Sequence, residues 1–226
     1  MALMGNVRKL YAVRFLHGLA FFGAVSVPFF TDWGHLNYSQ IFLLQMWFMF
    51  WGFVLEVPTG AIADKFGRKI SIFLSGLVLA LAMLVYGWIP DFFVFLFAEF
   101  LFALGLALMS GADKALLFDS LKELGKAAES KAFFSRYALF DTLGLVIAFP
   151  VGSMIAASKI LPYPQTLPLT MTLTAMPLFL AALVVLSVKE PKRETPKENL
   201  FRIGLNGIKY LPSHKALRAL AIDMGL

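Results

Sequence analysis

Six long apolar runs, each closed off by charge or by turn residues, decide most of what this chain can fold into. A helix rises about 1.5 Å per residue, so about 20 apolar residues cross the roughly 30 Å of hydrocarbon in a bilayer. Inside lipid every backbone N–H and C=O must bond within its own segment, so such runs fold as helices. The spans read as Val13 to Phe30, Ser39 to Thr59, Ile70 to Ile89, Phe92 to beyond Ser110, Phe133 to Ala157 and Leu167 to Val188. Ser39 is the expected N-cap of the second, and Pro177 predicts a kink in the sixth. The composition agrees, with 59% hydrophobic and 15% charged residues against roughly 45–50% and 25% in soluble domains. The fold class is an all-α membrane protein of six transmembrane helices.

Several function classes fall away on chemistry. The net charge of +6 does not point to nucleic acid, because no basic patch is interleaved with stacking aromatics and the 24 Phe lie inside the apolar runs. Cysteine is absent, which removes disulfides, thiolate metal sites and cysteine nucleophiles. Three scattered His with no acidic cluster beside them offer neither a metal centre nor acid/base chemistry, so an enzyme is not expected. There is no GxxxxGK(S/T) loop for ATP, and no cofactor is implied. The amino-terminal segment lacks a small-residue cleavage site, so the first span reads as retained.

The polar links orient the spans. Gly60 to Lys69, GAIADKFGRK, places three basic residues between the second and third runs, which marks a cytoplasmic link. With that loop inside, Lys159 is the one residue among the 20 Lys and Arg that falls on the outer side. The amino terminus is then cytoplasmic. Residues 1–188 form the membrane domain. Residues 189–215 read as a cytoplasmic linker with an amphipathic helix carrying Leu200, Phe201, Leu205, Ile208 and Leu211 on one face. Residues 216–226 read as the truncated start of a seventh span.

Gly60, Asp64, Lys65, Gly67, Arg68 and Lys69 fit the pattern GxxxD(R/K)xG(R/K)(R/K), and in this the chain resembles the major facilitator superfamily. The wider stretches LEVPTGAIADKFGRK and SGADKALLFDSLKELG strengthen the likeness. The resemblance implies twelve helices in two halves rocking about a central cavity. This chain would supply the amino-terminal half, a 3+3 inverted repeat, and the missing carboxy-terminal six-helix half would be its partner. The implied activity is secondary active transport of a small organic solute across the cell membrane, with proton-coupled efflux as one form of it. The alternative is a non-transporting scaffold or a truncated protein derived from a transporter. The resemblance also makes the loop a gating element, in which Asp64 holds the two halves together and Arg68 bonds an acid at the inner end of the fourth helix. Asp119 is the matching acid and Asp113 its competitor. Two departures stand out, Glu99 where antiporters usually carry Arg, and Phe149 to Ser153 as a partial match to their GPxxGG.

Other candidates come from helical spacing and the high cost of charge in lipid. Phe95, Glu99, Phe102, Leu106, Met109 and Asp113 share a face that would line a cavity for an apolar or cationic solute, against helix packing as the plainer reading. Glu99 leads as proton site, with Asp32 and His17 as lesser candidates; an interfacial or core role is the stronger reading for His17. Glu56 is expected to pair with Arg14, Lys69 or another base. Asp141 is either part of an inner gate or a partner of Tyr137 or Arg136. The small residues Gly144, Ala148 and Gly152 beside it predict close packing against another helix, in relatives one from the second half. Gly60 is expected to let a neighbour approach, and Gly67 to hold a positive-φ turn.

Overall fold

The structure is a computed structural model and describes residues 2–191. Among these, seven helices of more than ten residues account for the apolar runs: α1 (Ala2–Gly18), α2 (Tyr38–Phe66), α3 (Arg68–Tyr86), α4 (Phe92–Met109), α5 (Ala112–Glu123), α6 (Ser130–Ala156) and α7 (Leu167–Leu186). Six membrane-length spans result, because α1 continues to Trp33 and α4 continues into α5. The chain is a multi-pass membrane protein. The amphipathic helix expected around Leu200 to Leu211 and the seventh span lie outside the described residues.

Helix ends follow local chemistry. The N-cap of the second span is Asn37 and not the expected Ser39, because Asn37 and Gln40 form a reciprocal capping box of 2.9 and 3.0 Å. Asp91 caps α4 by accepting from the N–H groups of Phe93 and Val94. The first span is longer than its apolar core and is interrupted, passing through an unwound turn at residues 19–22 and a π-type turn at Phe29–Trp33. Unwinding frees the Phe21 N–H inside the bundle, and the Thr174 hydroxyl accepts it at 3.1 Å. The membrane provides no water for that donor, so the hydroxyl on α7 is what makes the break tolerable.

Packing runs α3 on α7, α3 on α4, α2 on α4, α1 on α6 and α1 on α7. The α1–α6 contact depends on missing side chains. A Cβ at Gly144 would stand 2.5 Å from the Phe15 carbonyl oxygen, and one at Gly152 would collide with that of Phe21. The small-residue face of α6 therefore packs on α1 of this same chain, and not on a helix from elsewhere as expected. Two apolar clusters result. One gathers Phe29, Phe30, Trp33, Tyr86 and Phe95 at one end of the bundle, and the other gathers Leu10, Ile72, Leu116, Leu117, Leu121 and Val185 at the end carrying the charged motif. Half of the apolar window of the third, fourth and sixth spans is buried, against 6% for the second. The second span thus presents most of its apolar surface outward.

Candidate functional site

The ten-residue motif is a junction of two helices with a single residue between them. Helix α2 runs through Gly60, Asp64 and Lys65 to Phe66, and α3 begins at Arg68. The link is Gly67, at φ +108° and ψ 145°, a region essentially closed to side-chain-bearing residues. A Cβ there would also stand 2.8 Å from the Glu190 carboxylate. That carboxylate accepts the Arg68 backbone N–H at 2.7 Å, occupying the positive end of α3 that Gly67 has no side chain to cap. Glu190 is 122 residues away, and no local signal pointed to it.

The Arg68 guanidinium donates to Asp119 on α5, joining the third span to the end of the fourth. Each side chain is 23% exposed. Asp64 is half-buried one turn before Gly67, and Lys69 is half-buried in the first turn of α3. Lys65 is exposed, its ammonium 5.3 Å from the centre of the Phe66 ring. Gly60 has open space where its Cβ would be, so close approach does not explain it among the described residues.

Asp113 does not compete for Arg68. It accepts from the Tyr137 hydroxyl at 2.8 Å and lies 3.9 Å from Arg14, whose guanidinium binds Asp141 at 3.0 Å. Asp141 therefore pairs with Arg14 on α1 and not with Tyr137 or Arg136; Arg136 is exposed. Arg14, Tyr137 and Asp141 of this network border a recess of about 430 Å³ that Lys114 and Phe134 also line. His17 lies one turn beyond Arg14, with a buried Nε2 that has no partner among the described residues. Asn6 completes this end, donating to Ser120 on α5 and exchanging two bonds with the Lys189 backbone.

The fourth span breaks at Ser110 and Gly111, the latter at φ +72°. Three hydroxyls meet the carbonyls just before the break: Thr59 on Ala107 at 3.1 Å, Ser71 on Leu108 at 2.6 Å and Ser75 on Gly105 at 2.6 Å. The Ala107 and Leu108 carbonyls are last-turn acceptors whose helical donors are lost at the helix end, and Gly105 lies one turn earlier. Their partners look like ordinary small residues in the sequence, which is why they were missed. Glu56 takes no basic partner among the described residues; its carboxylate accepts from the Ser110 hydroxyl at 2.7 Å.

Of the expected cavity face on α4, Phe95, Glu99 and Met109 are packed inside, while Leu106 is exposed and borders a recess between α2 and α4. Phe95 sits among Phe29, Phe30, Trp33 and Tyr86. Glu99 is 3% exposed and hydrogen-bonds with Tyr86. Met109 is buried and Phe102 lies between Phe22 and Phe48. Aromatic packing from the first and third spans covers that part of the face, a long-range effect that helical spacing on α4 does not contain. Asp32 is exposed, accepting from Thr31 at 2.6 Å and from Tyr163. That bond holds the Tyr163 phenol above its ordinary pKa. Asp32 thus ties the first span to the link between the fifth and sixth spans.

No curated protein sequence matches the chain. Among solved structures it is similar to that of the E. coli fucose:proton symporter FucP, with a TM-score of 0.70 and 21% identity, covering 85% of this chain and 51% of that one. The chain thus spans about half the length of the relative it matches. The sequence profile of the Major Facilitator Superfamily matches residues 9–222. With the glycine junction of the second and third spans in place, the chain belongs to the Major Facilitator Superfamily.

Proposed function

We propose that the chain is the amino-terminal six-helix half of a secondary active transporter, which moves a small organic solute across the cell membrane by alternating access. The observation that carries this reading is the junction at Gly67. Its Arg68–Asp119 pair and the Glu190 carboxylate link the second, third, fourth and sixth spans at one end of the bundle. A gate needs such a joint, since helices tied by a few polar bonds can be released and re-formed together. The motif end faces the cytoplasm, and the amino terminus with it, because the basic residues gather there.

The packing supports a 3+3 inverted repeat. Exchanging spans one, two and three for four, five and six carries the α1–α6 contact onto α2–α4, and α1–α7 onto α3–α4, while α3–α7 maps onto itself. A second half would cover the outward apolar surface of the second span and enclose the solute. An ion gradient supplies the energy, and proton-coupled efflux is the form we carry forward for it, with Glu99 and the partial match at Phe149 to Ser153 as departures from the antiporter pattern.

The test is flux in proteoliposomes. The chain alone should give no gradient-driven accumulation of labelled sugars, amino acids or organic cations, whereas the chain extended with a complementary six-helix half should accumulate one of them and lose it on adding protonophore. Robust accumulation by the chain alone contradicts the need for a second half, and none by the extended protein returns the chain to a scaffold.

A further inference from the structure

Glu56 is an exposed carboxylate on the second span whose partner among the described residues is neutral, the Ser110 hydroxyl. Glu99 is sealed in the aromatic core, and Asp113 and Asp141 are held by Arg14. Glu56 lies ten residues before the end of α2 at Phe66, about 15 Å along the helix axis. It sits in the last turn of the apolar run that ends at Thr59, where an ionised side chain bordering lipid still needs compensation. Among the described residues, one of its oxygens accepts from the neutral Ser110 hydroxyl. Beside it α2 and α4 part to leave a recess of about 300 Å³, lined by Phe48, Gly52, Ala103 and Leu106 with Glu56 and Ser110 at the polar end.

From this geometry we propose that the α2–α4 recess is a binding site for an amphipathic organic cation, with an aromatic or aliphatic body against Phe48 and Leu106 and an ammonium against Glu56. The chemistry of the wall selects the class. A carboxylate at one end repels anions, and an apolar body gains from leaving water. Phe48 gives a cation a favourable ring face. Gly52 and Ala103 keep the floor clear; a Cβ at Gly52 would meet nothing within 4 Å beyond its own stretch of helix. The occupied site also has a mechanical consequence. Ser110 precedes the bend at Gly111, and beyond that bend α5 carries Asp119 to Arg68. A cation that competes with Ser110 for Glu56 loosens the clasp between α2 and the hinge of the fourth span.

The inference rests on the transporter reading only in treating the occupant as a solute; its test needs binding and no flux. The full chain in lipid nanodiscs is titrated with radiolabelled benzyltrimethylammonium, with benzenesulfonate as an anionic ring of similar size. Saturable binding of the cation, little of the anion, and a loss of about tenfold or more in E56Q are expected. Gly52→Leu fills the recess without touching the charge and should weaken binding as much, so a folding defect in E56Q leaves the prediction testable. No saturable cation binding by the parent chain, equal binding of the anion, or unchanged binding in Gly52→Leu overturns the site. Binding without flux in the extended protein overturns the transporter reading alone, and flux with unchanged affinity in E56Q overturns the site alone.

Discussion

At the residue scale the motif does its work through Gly67 and Arg68. The Arg68–Asp119 pair is half-shielded, so its worth falls between that of an exposed pair and that of a buried one. A double-mutant cycle with Arg68→Ala and Asp119→Ala, followed by denaturant unfolding in detergent, should return a coupling of about 1–2 kcal/mol, less in high salt. A coupling indistinguishable from zero would reduce the motif's arginine to an insertion signal. Glycines separate into those that need to be glycine and those that do not. Gly152→Ala drives a methyl into the Phe21 carbonyl oxygen and should cost about 2 kcal/mol or more. Gly60→Ala meets nothing and should leave the melting temperature level or raise it, a helix gaining up to about 1 kcal/mol. Equal effects at the two positions would contradict the described packing of α1 on α6. Arg68 and Asp119 were legible as a pair through the family resemblance, which implies an acid at the inner end of the fourth helix as the arginine's partner. Glu190, Asn6 and Arg14 were not, since each finds its partner more than 90 residues away, and no local pattern records that.

Among the elements, the fourth span is where the fold departs most from a plain rod. Its break at Ser110 and Gly111 is held by hydroxyls from the second and third spans, so the hinge has a fixed set of polar bonds to make and release. Thr59→Val and Ser71→Ala each remove one bond to a last-turn carbonyl in a setting without water, and should cost about 0.5–1.5 kcal/mol apiece. Hydrogen exchange should rise first at residues 110–113 in both variants, before any change in α3. Exchange that rises uniformly would say that the hydroxyls stabilise the bundle without guarding the hinge. The existence of the spans was plain from hydrophobic runs alone, and α2, α3, α6 and α7 begin or end within a few residues of the expected positions. The inner faces were not plain. Helical spacing placed Phe95, Glu99 and Met109 on one side of α4, but whether that side meets a cavity or Phe29 and Tyr86 depends on how the first and third spans pack. The same spacing showed that the small residues of α6 face a neighbour without saying which.

On the scale of the whole molecule, the described residues form a six-span bundle with its polar bonds concentrated at the motif end and its second span facing outward. The functional account depends on which side of the membrane that end faces, because a clasp between spans regulates access only to the compartment it borders. The chain lends itself to a direct measurement, since it contains no cysteine. Lys65 on the motif junction and Lys159 beyond the fifth span are both exposed, so Lys65→Cys and Lys159→Cys each place one thiol on a native background. In sealed vesicles of known orientation treated with a membrane-impermeant maleimide, the account predicts labelling of the residue-65 thiol from the cytoplasmic face alone and of the residue-159 thiol from the outer face alone. Labelling of both from one face, or the reverse assignment, would contradict it.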